Sequence, residues 1–188
     1  MNWTFPNLLS LCRLGLIPLF AIALIQGRPE RALLVFVVAA VTDGLDGLAA
    51  RLLKQESLLG AYLDPLADKL LLTTAFVMLT IPGRQLGVQI PIWVTVLVIA
   101  RDVIILLVSV VLVLALDVRD LKPVALSKWN TAFQIAAVVA VLLSGVVSGF
   151  DTVAYVLIYT TAGLTILSGI YYIYRTNRLL ESHQNAPT

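Results

Sequence analysis

The sequence predicts an all-α integral membrane protein with six transmembrane helices and both termini on the cytoplasmic side. Of its 188 residues, 60% are hydrophobic and only 13% are charged, and the mean hydropathy is +0.96. A soluble domain needs a polar surface that such long apolar stretches do not supply. The period-two alternation of membrane strands is absent, and helices satisfy every backbone polar group within lipid.

Six apolar segments of about 20 residues are the predicted spans. They run roughly over residues 7–26, 31–54, 60–82, 91–116, 123–148 and 152–175. Short loops rich in helix breakers separate them, such as GRPE and SGFD. Before the first span, Trp3, Phe5 and Pro6 predict a short interfacial segment. Residues 1–188 are interpreted as one domain, whose polar tail begins at about residue 177.

The distribution of basic residues predicts which side of the membrane each loop faces. The side that carries both termini is the more basic one, with Arg51, Lys54, Arg119, Lys122, Lys128, Arg175 and Arg178. The positive-inside rule makes that side cytoplasmic. The membrane would be a bacterial inner membrane or, with the site on the matrix side, an organelle inner membrane. The net charge of +2 is too small and too scattered to indicate nucleic acid as a partner.

Four aspartates interrupt the second and third predicted spans: Asp43, Asp46, Asp64 and Asp68. The spacings within each span are i,i+3 and i,i+4, which put both carboxylates of one helix on the same face. Reflection about the turn near KQES, residues 54–57, places Asp46 level with Asp64. The same reflection places Asp43 level with Asp68, one turn deeper. Four carboxylates are therefore predicted to converge on one site.

Divalent metal binding is the favoured explanation of this cluster. Asp43 lies ~16 Å along the helix from Lys54, too deep for a solvated loop charge. A mid-helix carboxylate costs ~2.5–3.5 kcal/mol on insertion scales, and Arg51 and Lys69 are the only cations nearby. Because cysteine and histidine are absent from this stretch, Mg²⁺ or Mn²⁺ fits better than zinc, with one or two ions. A purely structural polar network is the alternative.

The expected chemistry is substitution at phosphorus on an amphipathic substrate. Two ions would clamp a pyrophosphate, while a further carboxylate takes the proton of an attacking hydroxyl. Gly44, Gly47 and Gly60 remove side-chain bulk from the same hairpin, so that a large anionic ligand can approach. Close helix packing is the other use for these glycines.

The stretch reads D-x2-D-G-x2-A-R-x8-G-x3-D-x3-D from Asp43 to Asp68, and it resembles the signature of the CDP-alcohol phosphotransferase family. The resemblance implies transfer of the phosphatidyl group of CDP-diacylglycerol to an alcohol, with release of CMP. It also implies membrane lipids as surroundings and a homodimer.

The same resemblance assigns roles to single positions. Metal binding falls to Asp43, Asp46, Asp64 and Asp68, with Asp68 also the general base. Binding of the CDP donor falls to Gly47, Arg51 and Gly60. From the residues themselves, Asn7, Ser10 and Arg13 form a polar stripe at i, i+3 and i+6 on the first span, and its face is expected to meet the nucleotide. Helix capping and interhelical hydrogen bonding are the alternative use of that stripe.

The residues expected to bind the acceptor are Arg101 on the fourth span and Lys128 and Asn130 on the fifth. A polar stripe on the fifth span contains Ser127, Asn130, Thr131 and Gln134, at i, i+3, i+4 and i+7. Arg101 lies deep in the fourth span, and its neighbour Asp102 is excluded as a partner because i,i+1 residues do not face each other. An unfilled guanidinium suits an acceptor phosphate. A structural ion pair is the alternative for Arg101, and interfacial snorkelling is the alternative for Lys128, the third acceptor candidate.

Two stretches bear on which alcohol is accepted. LKPVALSKWNTAFQ and ARDVIILL resemble the eukaryotic-type cardiolipin synthases of the family, which favours phosphatidylglycerol as acceptor. The alternative acceptor is glycerol 3-phosphate, giving phosphatidylglycerophosphate. A protein of another class, a divalent-cation transporter, would need acidic groups across the whole bilayer, whereas the four aspartates gather in one half.

Overall fold

The structure is a computed structural model that describes the backbone of residues 5–53, 58–83, 86–116 and 125–184. Side chains are described for 11–42, 69–83, 86–108 and 126–176. Within these ranges all regular structure is helical, which confirms the predicted all-α class. The helices are α1 (Phe5–Ile25), α2 (Pro29–Leu53), α3 (Leu58–Thr80), α4 (Ile92–Leu116), α5 (Ala125–Ser144) and α6 (Asp151–Gln184).

Local chemistry explains where α1 stops and α2 begins. Gly27 has a φ of 65°, in the left-handed region that favours glycine. Its N–H donates to the carbonyl of Leu24 at 3.0 Å, and the N–H of Arg28 donates to that of Ala23 at 3.0 Å. These two bonds form a Schellman motif, which satisfies carbonyls at the end of α1. Pro29 then opens α2, where its fixed φ suits the first helical turn.

The helices pack as one bundle around an apolar core. α1 lies against both α2 and α3, α5 lies against α6 and α2, and α4 lies against α6 and α3. One end of the bundle, where α1, α3 and α5 finish, has an almost purely apolar interior. This apolar end contains Phe20, Phe36, Leu79, Ile90, Leu142 and Ile158, none more than 1% exposed. The rings of Phe20 and Phe36 pack in a tilted arrangement, with a centroid distance of 5.8 Å and an interplanar angle of 48°.

The outside of the bundle is apolar, and part of its inside is polar. Large side chains such as Leu34, Val96, Leu107 and Ile170 are all more than half exposed. Arginine, asparagine, glutamine and several hydroxyl side chains are buried instead. This arrangement suits lipid as the solvent. In the part of the chain with described side chains, Leu126–Ser144 and Asp151–Thr176 are long and apolar enough to cross a membrane.

The helix ends differ from the predicted spans in two places. α6 continues through the polar residues to Gln184, well past the predicted span end near 175. A hydropathy window detects only the apolar part of a helix, and good helix formers such as Arg178 and Glu181 extend it. α5 ends at Ser144 rather than near 148, and a turn follows in which the N–H of Gly145 donates to the carbonyl of Leu142.

Candidate functional site

A buried arginine joins three helices at the polar part of the bundle. The Arg101 side chain on α4 is 7% exposed. Its Nε donates to Ser168 Oγ on α6 at 3.0 Å, and its Nη2 donates to Ser127 Oγ on α5 at 3.0 Å. The predicted burial of Arg101 is therefore confirmed. These two contacts, on neighbouring helices, hold the plane of the guanidinium in one orientation.

Asp102 bridges this arginine to α3. Its Oδ1 accepts a hydrogen bond from Arg101 Nη1 at 2.8 Å, and its Oδ2 lies 2.7 Å from Lys69 Nζ. The exclusion of Asp102 as a partner of Arg101 was wrong. The i,i+1 rule describes the directions of the Cβ atoms, whereas the long arginine side chain turns back to meet its neighbour. We call Lys69, Arg101, Asp102, Ser127 and Ser168 the polar cluster.

The guanidinium is partly rather than wholly available to a ligand. A guanidinium carries five N–H donors. Within the ranges that the structure describes, three of them are used, one each by Ser168, Asp102 and Ser127. The expectation of an unfilled fork is therefore corrected. One N–H on each terminal nitrogen is left without a partner among the described side chains, which suits the two oxygens of a phosphate.

The polar stripe of α5 faces the bundle interior, as predicted. Asn130 is 0% exposed and accepts a hydrogen bond from Thr165 Oγ1 on α6 at 3.0 Å. Gln134 lies one turn further along and is 1% exposed. Neither Asn130 Nδ2 nor Gln134 Nε2 has a hydrogen-bond partner among the described residues. Because unpaired buried amides are costly, both can donate to a polar ligand or to water.

Lys128 lies apart from this interior stripe. It is exposed, next to Trp129, which is 61% exposed. No hydrogen bond or ion pair joins Lys128 to another side chain in the described part of the molecule. The contact to Arg101 is made instead by the preceding residue, Ser127. This position suits a basic residue at the membrane surface, and its role toward an acceptor stays a prediction.

Several members of the site were missed at the level of sequence. Thr161, Thr165 and Ser168 on α6 are all buried. Their i, i+4, i+7 spacing puts them on one helix face, so the signal was present in the sequence. Lys69 was considered only as a neighbour of the aspartates. The structure pairs it with Asp102 on α4, a contact between residues 33 positions apart that no spacing rule predicts.

The helix bounds are compatible with the predicted depth of the aspartates. Asp43 lies ten residues before the end of α2, and Asp68 lies ten residues after the start of α3. Asp46 and Asp64 lie seven and six residues from the same ends. At 1.5 Å per residue these positions are at two common depths, ~15 Å and ~10 Å.

The side chains that would bind metal and donor lie outside the described ones. This holds for the aspartates Asp43, Asp46, Asp64 and Asp68 and for Asn7, Ser10, Gly47, Arg51 and Gly60. Their convergence and their roles therefore stay predictions. Among the side chains that are described, no group of three metal-ligating residues occurs.

The turn between α1 and α2 places the start of α1 near the motif. Asn7 and Gly47 are each 20 residues from Gly27, and Ser10 and Gly44 are each 17 residues from it. Because α1 and α2 pack as neighbours, these pairs lie at similar levels along the bundle. The backbone is therefore compatible with a donor site that uses both helices.

Comparisons with known proteins agree with the motif. The family model described as CDP-alcohol phosphatidyltransferase matches residues 3–167. A human cardiolipin synthase (CMP-forming) is 34% identical over 94% of this chain and 62% of its own length. A CDP-diacylglycerol–glycerol-3-phosphate 3-phosphatidyltransferase of Haemophilus influenzae is 34% identical over 92% of this chain and 93% of its own length. The chain thus spans about three fifths of the human relative.

Proposed function

Because this chain belongs to the CDP-alcohol phosphatidyltransferase family, we propose that it transfers the phosphatidyl group of CDP-diacylglycerol to an alcohol and releases CMP. The observation that carries the proposal is the buried Arg101, tied through Asp102 to Lys69, the residue after the proposed base Asp68. A cationic anchor for a phosphate-bearing acceptor and a base for its hydroxyl would thus lie on neighbouring helices.

The proposed reaction is one displacement at phosphorus. The acceptor hydroxyl oxygen attacks the phosphorus that carries diacylglycerol, and Asp68 takes the hydroxyl proton. The bond from that phosphorus to the oxygen of the CMP phosphate breaks, and CMP leaves with the electron pair. Arg101 binds the phosphate group of the acceptor, and this contact positions the acceptor hydroxyl for attack on the phosphorus.

Divalent metal is part of this proposal, as the family generally depends on it. We propose that Asp43, Asp46, Asp64 and Asp68 hold two Mg²⁺ or Mn²⁺ ions. Carboxylate oxygens are the ligands that these hard cations prefer. The chemistry that the bound ions supply is neutralisation of the pyrophosphate charge and stabilisation of the leaving phosphate. Gly47, Arg51, Gly60, Asn7 and Ser10 are proposed to hold the CDP portion.

We favour phosphatidylglycerol as the acceptor, which would make the product cardiolipin. The support is the likeness of the ARDVIILL and LKPVALSKWNTAFQ stretches to cardiolipin synthases. These stretches contain Arg101 and Asn130, which are buried, and Asp102 and Ser127, which are partly buried and bind Arg101. Arg101 and Asn130 are thus proposed to contact the acceptor, with Lys128 at its surface-exposed end.

Glycerol 3-phosphate is the second candidate acceptor, and a specific observation favours it. The Haemophilus relative, whose name specifies glycerol 3-phosphate, matches along 93% of its own length. The human cardiolipin synthase matches along only 62% of its own length. The identity is 34% in both cases and so does not separate the two acceptors.

The proposal includes a membrane topology and an assembly. Six spans would put both termini on the same side of the membrane, with the active site facing the cytoplasm or the matrix. The excess of basic residues near the termini and in the α2–α3 and α4–α5 connections supports that orientation. A homodimer is proposed from the resemblance to the family.

One assay tests the activity and the acceptor together. The purified chain in nanodiscs is given CDP-diacylglycerol and Mg²⁺ with phosphatidylglycerol or glycerol 3-phosphate, and both CMP and the lipid product are quantified. Cardiolipin is expected. Formation of phosphatidylglycerophosphate instead would identify glycerol 3-phosphate as the acceptor. Absence of CMP with either acceptor, although the protein is folded and binds Mg²⁺, would overturn the proposed activity.

A further inference from the structure

One carboxylate on α4 holds two cations from different helices in place. Asp102 is 17% exposed in its side chain, and its two oxygens are divided between Arg101 Nη1 at 2.8 Å and Lys69 Nζ at 2.7 Å. Arg101 is also bound by Ser127 on α5 and Ser168 on α6. Through Asp102, the polar cluster therefore links α3 with α4, α5 and α6.

We propose that Asp102 is a positioning residue for a phosphate-bearing acceptor and that it acts through Arg101. This inference rests on the proposed function, since it takes Arg101 as the group that touches the acceptor. Asp102 fixes Nη1 on one side of the guanidinium, while the two serines fix Nε and Nη2. On each terminal nitrogen, the N–H that no described residue binds then has a fixed direction and can donate to a phosphate oxygen.

The pairing with Lys69 gives Asp102 a second positioning effect. Lys69 follows Asp68 on α3, so the ion pair fixes this turn of α3 relative to α4. The hydroxyl that Asp68 is proposed to deprotonate belongs to the molecule that Arg101 is proposed to hold. A fixed spacing between these two helices therefore aligns the acceptor with the base.

The charge balance of the cluster also depends on Asp102. Lys69 and Arg101 contribute two positive charges and Asp102 one negative charge, so the net charge is +1. An asparagine has the same shape but only one carbonyl oxygen, and its other end is a donor. It can accept from Arg101 or from Lys69 at the two observed positions, but not from both. Asp102→Asn therefore removes the double contact to Arg101 and Lys69 but keeps the size and shape of the side chain.

The first test compares the Michaelis constants for acceptor and donor in the full chain. We expect Asp102→Asn to raise the acceptor KM about tenfold, since a charge-assisted bond to Arg101 is weakened. The KM for CDP-diacylglycerol should stay within about twofold of wild type. Asp151→Asn is the matched control, because Asp151 is exposed at the start of α6, at the opposite end of the bundle. Equal rises in both KM values would indicate a general structural defect and overturn the proposal.

A second variant covers the case in which Asp102→Asn does not fold. Asp102→Glu keeps the negative charge and both acceptor oxygens but moves them by one methylene. A smaller rise in the acceptor KM is expected, again without a change for the donor, because ~1 Å of misplacement already weakens positioning. An acceptor KM within about twofold of wild type in a folded Asp102→Glu protein would count against a positioning role.

A binding measurement separates this inference from the proposed reaction. Calorimetric titration without donor uses dihexanoyl-phosphatidylglycerol in one arm and glycerol 3-phosphate in the other, which distinguishes a lipid headgroup from a free phosphate. Asp102→Asn is expected to weaken one of them about tenfold relative to Asp151→Asn. Weakened binding without CMP formation by wild type would overturn the proposed reaction and support the inference. If wild type forms CMP while Asp102→Asn leaves both ligand binding and the acceptor KM unchanged, the proposed reaction is supported and the inference is overturned. If wild type binds neither ligand, the inference is overturned.

Discussion

The two halves of the bundle use the same helices for different purposes. In the apolar end, Phe20 and Phe36 are fully buried and pack against each other through dispersion contacts. In the polar cluster, the buried Arg101 and the partly buried Asp102 are held by hydrogen bonds and ion pairs. The apolar end needs only shape and volume, whereas the cluster needs particular atoms at particular distances. We therefore expect substitutions in the apolar end to change stability and substitutions in the polar cluster to change acceptor binding.

The largest effect is expected at the proposed base. Asp68→Asn should lower kcat by roughly 10²–10⁴-fold, because a general base contributes about that much. Partial Mg²⁺ binding should persist through the other three aspartates. CMP release in single-turnover experiments measures the first effect, and calorimetry with Mg²⁺ measures the second. Full turnover in the folded variant would remove Asp68 from its role.

The next largest effect lies in the apolar end and concerns stability alone. Phe36→Ala should lower the free energy of unfolding by ~3 kcal/mol, the low end for a buried phenylalanine, since lipid adds no hydrophobic driving force. Thermal unfolding in detergent measures this loss. The control is Ile104→Ala on α4, because the Ile104 side chain is 48% exposed. Both KM values should remain at wild type. A selective loss of acceptor affinity in Phe36→Ala would break the separation between the halves.

A smaller effect, on acceptor binding, is expected when Arg101 of the polar cluster is replaced. Arg101→Lys keeps the charge and loses the planar fork, so the contacts to Ser127 and Ser168 cannot both be kept. The acceptor KM should rise about tenfold while the donor KM is unchanged. Arg31→Lys on the exposed first turn of α2 is the matched substitution without effect. Unchanged acceptor kinetics would leave Arg101 a purely structural residue.

The smallest effect probes a polar contact inside the apolar end. Thr95 on α4 bonds to Thr80 on α3 and lies near the carbonyl of Phe76. Thr95→Val should lower the free energy of unfolding by only ~0.6 kcal/mol, the average for such bonds between membrane helices. Chemical denaturation measures it. A loss of several kcal/mol would mean that the apolar end depends on polar atoms as much as the cluster does.

The sequence predicted the elements of the fold well and its contacts poorly. The burial of Arg101 and the inward face of Asn130 follow from hydropathy and helical spacing, whereas the convergence of the four aspartates stays a prediction. The pairing of Arg101 with Asp102 was rejected on a spacing rule, because such rules describe Cβ directions and not the reach of a long side chain. The i,i+3 spacing of Thr165 and Ser168 places both on one face of α6. This face was missed because it contains no charged residue.

By itself, the sequence determined the helical class, the approximate positions of the helices and the family, since lipid requires internal hydrogen bonding and since eight spaced positions specify the motif. Only the tertiary structure decided which helices meet and therefore which cations Asp102 holds. The partners Lys69, Ser127 and Ser168 lie 25 residues or more from Arg101 and Asp102 along the chain. Such contacts follow from how the helices rotate and pack, and short-range periodicity contains no information about that rotation.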